Sequence, residues 1–375
     1  MILISTVILV LYSLLMIAFI IGFDKVEIFQ NPKLSPKTKF SIIVPFRNEV
    51  ENLNSLLESI SMMSYPSELF EIWLIDDHSE DHSVMIIENF KKENKKPNIK
   101  ILVNNPKSHS PKKDAISTAI VKANFEWIIT TDADCIIPKD WLNIFDAYIQ
   151  KHQSKLIAAP VTYQTQKTFL EQFQLLDFLS LQASTIGSFG VKKPFLCNGA
   201  NLCYEKNAFM EVNGFDGNDN IASGDDIFLL QKMLKQYPDK VHFLKSNEVI
   251  VKTNPEKSFK SLLSQRIRWA AKTTAYKSTF AKLVGITVLL MNLIVVLTII
   301  LSVFNLLQWK LTLPIIITKL VLDYVLLNKI YTFYNQRLPF QYYLLGGFLY
   351  PLFSLFVAIV SFRTTYHWKG RKFNK

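Results

Sequence analysis

Apolar segments long enough to cross a bilayer constrain this chain most. Residues 1–23 are almost wholly apolar, and further apolar runs cover residues 283–307 and 341–362. Because a helix needs about 20 apolar residues to cross the hydrocarbon core, each run is predicted to span a membrane. Residues 1–23 lack a basic start and a small-residue cleavage signature, which favours an uncleaved anchor over a signal peptide.

Basic residues near these runs predict their orientation. Lysines follow the first run and precede the second, and the tail at residues 363–375 is basic. The positive-inside rule places the intervening residues and this tail in the cytoplasm, so we expect an integral protein of the cell membrane. Residues 311–327 are apolar but short, and they contain Lys319 and Asp323. A span there would put the tail outside, so we favour a re-entrant or partly inserted helix and predict two or three helices over residues 283–362.

Charge and cysteine content narrow the class of protein. A formal net charge of +11 is compatible with binding either to nucleic acid or to an anionic membrane surface. The apolar segments favour the membrane, and no nucleic-acid partner is expected. The chain has 3 cysteines and no Cys-x-x-Cys spacing, which argues against a disulfide framework and fits a reducing compartment.

Residues 39–254 alternate short apolar runs with segments of helical spacing. The predicted strands are residues 40–44, 71–75, 99–103, 125–130 and 156–161, and the predicted helices are residues 50–62, 81–92 and 112–123. This alternation indicates an α/β domain with a Rossmann-like, mainly parallel sheet and helices on both faces. Ligands of such sheets bind beyond the carboxyl ends of the strands. An amphipathic interfacial segment is predicted to follow at residues 255–282.

Acidic residues recur where the predicted strands end. Glu49 follows the first strand, Asp76 and Asp77 follow the second, and Asp132 and Asp134 follow the fourth. In extended chain the last two would point the same way and could share one Mg²⁺ or Mn²⁺. Clustered carboxylates repel, and a bound cation or the donors of a nucleobase and ribose would relieve that repulsion. Solvated loops and helix caps are the alternative for each motif alone.

An ordered series of motifs extends from about residue 40 to residue 269. It comprises FSIIVPFRNE, LIDDHSED, SPKKDAI, TTDADC, CNGANLCYEK, GFDGNDNIASGDD and QRIRW. The series resembles family 2 of the inverting nucleotide-sugar glycosyltransferases, which have the A-type (GT-A) fold, and in particular its membrane members with a Gln-x-x-Arg-Trp motif. The resemblance implies metal-assisted transfer of a sugar from a nucleotide-sugar, expected to be UDP-linked, to a lipid-linked or membrane-proximal hydroxyl in polysaccharide or glycolipid biosynthesis.

The same resemblance assigns candidate site residues. Those expected at the nucleotide are Pro45, Arg47, Glu49, Asp76, Asp77, Lys113 and Asp132, with Lys112 as the alternative to Lys113. Asp134, assisted by Asp132, would bind Mg²⁺ or Mn²⁺, and Asp226 would be the catalytic base. Residues expected at the acceptor or the diphosphate are Asp225, Gln265, Arg268 and Trp269.

Several of these residues have a structural alternative. Asp226 also ends a Ser-x-x-Asp pattern that resembles a helix capping box with Ser223, a role compatible with that of a base. Asp225 stands where the family usually has Glu. This difference bears on the predicted role of Asp225 in acceptor binding more than on the assignment of the base. On a helix, Gln265, Arg268 and Trp269 would share one face, as they also would in a purely membrane-bound amphipathic helix. Residues 168–189 suit either an interfacial helix or a core helix.

Other whole-protein functions compete with single sugar transfer. A processive polysaccharide synthase of the same family is one alternative, although three or four membrane segments are few for an export channel. A membrane nucleotidyl- or phosphotransferase is less favoured because the chain has no Gly-x-x-x-x-Gly-Lys phosphate loop. A non-catalytic membrane scaffold would tolerate Asp134→Ala and Asp226→Ala.

Overall fold

The computed structural model describes residues 2–94, 97–164, 167–218, 221, 223–363, 366–369 and 371–373. The chain divides into two compact units. We call Glu27–Gln164, Leu196–Asn254 and His367–Lys375 the sheet unit, and Met1–Val26, Thr165–Phe195 and Pro255–Tyr366 the helical unit.

The elements alternate along the chain much as the sequence predicts. The strands are β1 (Phe40–Phe46), β2 (Phe70–Asp76), β3 (Ile99–Val103), β4 (Trp127–Thr130), β5 (Leu156–Ala158), β6 (Val161–Tyr163), β7 (Leu202–Glu205), β8 (Val241–Phe243), β9 (Val251–Thr253), β10 (Tyr366–Trp368) and β11 (Arg371–Phe373). The helices are α1 (Ile2–Lys25), α2 (Leu53–Ser61), α3 (Ser83–Glu93), α4 (Pro111–Lys122), α5 (Trp141–Lys151), α6 (Phe169–Gly190), α7 (Lys206–Glu211), α8 (Asp225–Gln236), α9 (Phe259–Ala271), α10 (Thr279–Val303), α11 (Trp309–Phe333) and α12 (Phe340–Arg363).

A mainly parallel sheet forms the centre of the sheet unit. Over the described ranges it has seven strands in the order β3-β2-β1-β4-β7-β5-β8. β7 runs antiparallel to β4 and β5, whereas β1 pairs in parallel with β2 and β4, and β2 with β3. Ile42, Ile43 and Val44 of β1 are fully buried, as expected for a strand covered on both faces. The predicted mainly parallel sheet is therefore confirmed.

The strand register brings the predicted acidic residues to one edge. Phe46 at the end of β1 pairs with Asp76 at the end of β2. On the other side of β1, Ile43 pairs with Thr130 at the end of β4. Since these strands are parallel, the residues that follow each of them leave the sheet at its carboxyl edge.

Several helices of the helical unit have the length of membrane spans. Within the described residues, four helices are long and apolar enough to cross a membrane: Ile2–Lys25, Thr279–Val303, Trp309–Phe333 and Phe340–Ser361. The apolar segment predicted at residues 311–327 underestimates the length of this helix, because α11 extends from Trp309 to Phe333. Its two charges compensate each other, with Lys319 Nζ 2.6 Å from Asp323 Oδ2 and the hydroxyl of Tyr12 donating to Asp323.

Helix α6 belongs to the helical unit although it lies within the residues predicted as one continuous domain. Most of its side chains are buried, which favours the core-helix interpretation of this segment. It packs closely on α1: a Cβ atom at Gly187 would lie 2.5 Å from the carbonyl oxygen of Phe19. Only glycine permits this approach, and small residues at such contacts are typical of helix pairs in membranes.

Candidate active site

Asp76 and Asp77 are fixed at the end of β2. The amide of Asp77 donates to the carbonyl oxygen of Phe46 at 2.9 Å, and its Oδ1 accepts from Asn104 Nδ2 at 2.8 Å. Asp76 Oδ1 accepts from the amide of Ser79 at 2.9 Å. These contacts orient both carboxylates at the carboxyl edge of the sheet.

Asn104 belongs to this site but was not predicted. It follows β3, and its Oδ1 atom is buried without a hydrogen-bond partner among the residues that the structure describes. A buried carbonyl oxygen of this kind is available to a donor group on a ligand. Its position directly after a strand of the parallel sheet is the signal that could have identified it.

Arg47 holds the loop after β2. Its Nη1 atom donates to the carbonyl oxygen of Asp77 at 2.8 Å and to that of His78, and its Nη2 atom is 2.7 Å from Glu80 Oε1. The side chain thus clamps the 77–80 loop. Its predicted place beside a nucleotide, like that of Pro45 within β1, stays a prediction.

Asp132 and Asp134 lie in a turn after β4. The amide of Cys135 donates to the carbonyl oxygen of Asp132 at 3.2 Å, so the extended geometry expected for the two aspartates is wrong. The strand ends at Thr130, two residues before the first of them. Burial, together with Asp132 and Glu49, nevertheless raises the pKa of Asp134 to about 6. The carboxylates therefore lie near enough to repel one another.

This acidic group suits a hard divalent cation. Mg²⁺ is commonly held by one or two carboxylates, with water and substrate phosphates in its other positions. Over the described ranges, no cluster of three or more His, Cys, Asp or Glu side chains forms a complete metal site. Asp132 and Asp134 fit the smaller requirement, and their repulsion would be relieved by the cation.

Lys112, rather than Lys113, faces these carboxylates. Lys112 Nζ lies 2.8 Å from Asp132 Oδ1 and 3.2 Å from Asp225 Oδ2. Burial alone would lower the pKa of Lys112, but Asp132 and Asp225 outweigh it and raise that pKa above its ordinary value. Lys113 is buried and donates to the carbonyl oxygens of Asn218 and Ile221 at 2.6 Å and 2.8 Å. Neighbouring residues of a helix point about 100° apart, so only one of the two can face the acidic edge.

Asp226 lies in the first turn of α8 beside a glycine loop. Its Oδ2 atom accepts from the amide of Gly199 at 3.3 Å, and its Oδ1 atom from that of Ile227 at 2.7 Å. A Cβ atom at Gly199 would lie 2.9 Å from Asp225 Oδ2, which explains the glycine. The N-cap is Gly224 with a φ of 84°, so the expected capping box with Ser223 is wrong.

One arginine of the Gln-x-x-Arg-Trp segment, Arg266, is buried in an ion pair within the helical unit. Arg266 Nε is 2.5 Å from Asp177 Oδ2, both side chains are 6% exposed, and the guanidinium of Arg266 lies 4.2 Å from the ring centre of Trp269. Gln265 Nε2 donates to Glu256 Oε1 at 3.0 Å. The arginine buried against the tryptophan is therefore Arg266. The predicted acceptor or diphosphate contacts of Gln265, Arg268 and Trp269 stay predictions.

Comparison with known proteins gives a consistent picture. A family model described as Glycosyl transferase family 2 matches residues 41–211, and one described as Glycosyl transferase family group 2 matches residues 127–363. The chain is 31% identical over 119 residues to the poly(ribitol-phosphate) beta-N-acetylglucosaminyltransferase TarS of Staphylococcus aureus. The aligned residues cover 32% of this chain and 20% of that protein. It is 23% identical over 230 residues to the glycosyltransferase AglE of Haloferax volcanii, covering 61% and 70% respectively.

The fold is shared with a solved structure. The mannosyltransferase PcManGT from Pyrobaculum calidifontis, in complex with GDP-Man and Mn²⁺, superposes with a TM-score of 0.53 at 15% identity, over 93% of this chain and 98% of that one. This similarity supports the fold class predicted from the sequence. The staphylococcal relative is matched over only about a fifth of its length, at 20%.

Proposed function

The chain belongs to glycosyltransferase family 2, and we propose that it transfers a sugar, with inversion, from a UDP-linked nucleotide-sugar to a lipid-linked or membrane-proximal hydroxyl. One observation carries this proposal. Lys112 contacts Asp132 and Asp225 at the carboxyl edge of the sheet, beside Asp134 and Asp226. The ammonium group of Lys112 lies among carboxylates that could hold a divalent metal ion. This arrangement is suited to a metal-bound diphosphate.

The donor would bind across the ends of β1, β2 and β4. Asp77 and the buried amide oxygen of Asn104 would accept hydrogen bonds from the base and ribose. Lys112 would pair with the diphosphate, exchanging its carboxylate partners for phosphate oxygens. Asp134 with Asp132 would hold Mg²⁺ or Mn²⁺, which supplies Lewis-acid stabilisation of the departing diphosphate when bound. The mannosyltransferase PcManGT, which shares the fold, was solved with GDP-Man and Mn²⁺, and this supports the proposed use of a divalent metal.

Asp226 would act as the general base. The acceptor oxygen forms a bond to the anomeric carbon while the bond from that carbon to the phosphate oxygen breaks, and Asp226 takes the hydroxyl proton. The amides of Gly199 and Ile227, which already donate to its two oxygens, orient the carboxylate. Its place at a helix N-terminus favours the negative charge that a base needs.

The helical unit would anchor the enzyme at the cytoplasmic face of the cell membrane. Four helices of sufficient length and apolarity within the described residues support this location, as do the basic residues near their ends. An acceptor in or near the membrane follows, and Gln265, Arg268 and Trp269 remain proposed for its recognition. We favour single transfer over processive synthesis because so few helices are available for an export channel.

Turnover of a panel of nucleotide-sugars tests the proposal. Detergent-purified protein is assayed for nucleotide release with Mn²⁺ or Mg²⁺, beside Asp226→Asn and the exposed control Asp239→Asn. We expect one donor to be consumed, a loss of about 10²–10⁴-fold in Asp226→Asn, and no change in the control. Full turnover by Asp226→Asn would refute its role, and failure of every donor to bind or react would refute the enzyme.

A further inference from the structure

The basic C-terminal hairpin contacts the acidic edge of the sheet unit. β10 and β11 pair with each other, and Lys369 in the turn between them has a φ of 48°. Lys369 Nζ lies 2.5 Å from Glu49 Oε1, and Arg371 Nη1 lies 2.6 Å from Asp77 Oδ2. These two carboxylates lie more than 290 residues away in the sequence, after β1 and β2.

Both contacts fall on residues that the donor would need. The side chains of Glu49 and Asp77 are 11% and 7% exposed, whereas those of Lys369 and Arg371 are 29% and 28% exposed. The hairpin therefore brings two partly exposed cationic side chains into contact with two nearly buried carboxylates. The carbonyl oxygen of Lys369 also accepts from Arg47 Nε at 3.3 Å, which ties the turn to the same loop.

We propose that this hairpin is a reversible cap on the donor site, held by Lys369 and Arg371 when no donor is bound and displaced by a nucleoside diphosphate with its divalent cation. The inference rests on the proposed function. The Asp77 oxygen that binds Arg371 is one that the base or ribose of a donor would use, so the guanidinium and the donor compete for it. A divalent cation near Glu49 and Asp134 would repel the ammonium group of Lys369, so the two ions compete for the same anions.

Cysteine labelling in oriented vesicles tests the location of the hairpin without requiring any activity. In a Cys197→Ala background, the full chain carries Glu58→Cys on α2, Leu306→Cys between α10 and α11, or Lys372→Cys on β11. A membrane-impermeant maleimide should label positions 58 and 372 in the same vesicle orientation and position 306 in the opposite one. Labelling of position 372 together with position 306 would overturn the cap.

Nucleotide affinity tests whether the cap competes with the donor. The dissociation constant of UDP with Mn²⁺ is measured for the wild type, for Lys369→Ala/Arg371→Ala, and for the control Lys91→Ala on α3. We expect about three- to tenfold tighter binding in the double variant and no change in the control. Unchanged or weaker binding in the double variant would overturn the cap. If no protein bound UDP or GDP, both the proposed function and competition for its site would fail, whereas the vesicle result would still locate the hairpin.

Discussion

Replacement of Asp134 by asparagine should stabilise the metal-free protein at neutral pH. Burial, Asp132 and Glu49 raise the pKa of Asp134 from 3.8 to about 6, so its ionised form is disfavoured in the folded state. At about 1.4 kcal/mol for each tenfold change in proton affinity, the cost reaches up to about 3 kcal/mol above pH 6. The cost vanishes below about pH 4, where the carboxyl group is protonated in both folded and unfolded chains. Asp134→Asn removes this cost and retains the shape of the side chain.

Thermal unfolding in detergent with a chelator measures this effect. We expect Asp134→Asn to unfold about 5–10 °C higher than the wild type at pH 7.5, and at the same temperature near pH 4. Glu58→Gln removes an exposed carboxylate of α2 and should change neither value. An equal rise in unfolding temperature at both pH values, or no rise at pH 7.5, would show that carboxylate repulsion does not destabilise this site.

Three further predictions concern other charged groups. Burial opposes ionisation of Glu71, but hydrogen bonds, led by that from Lys100, lower its pKa to about 2. Glu71→Gln should therefore cost about 2–3 kcal/mol of unfolding free energy at pH 7 and progressively less below pH 4, as denaturant titrations at several pH values would show. Asp177→Asn removes the carboxylate that neutralises the buried Arg266 and should cost about 3–5 kcal/mol in the same titration, more than replacing both residues by apolar ones. Lys112→Ala should weaken nucleotide binding by the folded protein and also lower the melting temperature, because Lys112 neutralises Asp132 and Asp225, whereas Lys113→Ala should lower the melting temperature and leave binding by the folded fraction intact.

The sheet and its acidic edge could be predicted because they depend on local patterns. Apolar runs that alternate with helical spacing indicate parallel strands, and parallel strands end at one edge. The order of strands and helices along the chain therefore suffices to place Glu49, Asp77 and Asp132 at that edge. The general location of the site follows from chain order alone.

Choices between neighbouring residues could not be predicted in this way. Lys112 faces Asp132, and Arg266 is the buried arginine of its motif, because helix rotation is set by tertiary packing rather than by the motif. The turn after β4 was also missed: the predicted strand ends correctly at Thr130, but the sequence does not reveal that the chain turns between Asp132 and Cys135.

Contacts between distant segments lay beyond the sequence for a different reason. The basic tail predicts membrane topology, but its charges also pair with Glu49 and Asp77. Such pairs join segments that are distant in the sequence and meet only in the folded protein. Asn104 was missed because its position directly after a strand is a weak signal for a residue type that is also common in turns.

We propose that the carboxyl edge of the sheet is a metal-dependent site for a nucleoside diphosphate. Equilibrium binding of UDP and GDP to the purified full chain, with Mn²⁺ and with a chelator, tests this proposal. We predict that one of the two nucleotides binds at least about tenfold more tightly with Mn²⁺ and that Asp134→Asn abolishes this difference. Equal affinity with and without the metal, or a metal effect that persists in Asp134→Asn, would show that this edge is not a metal-dependent nucleotide site that uses Asp134.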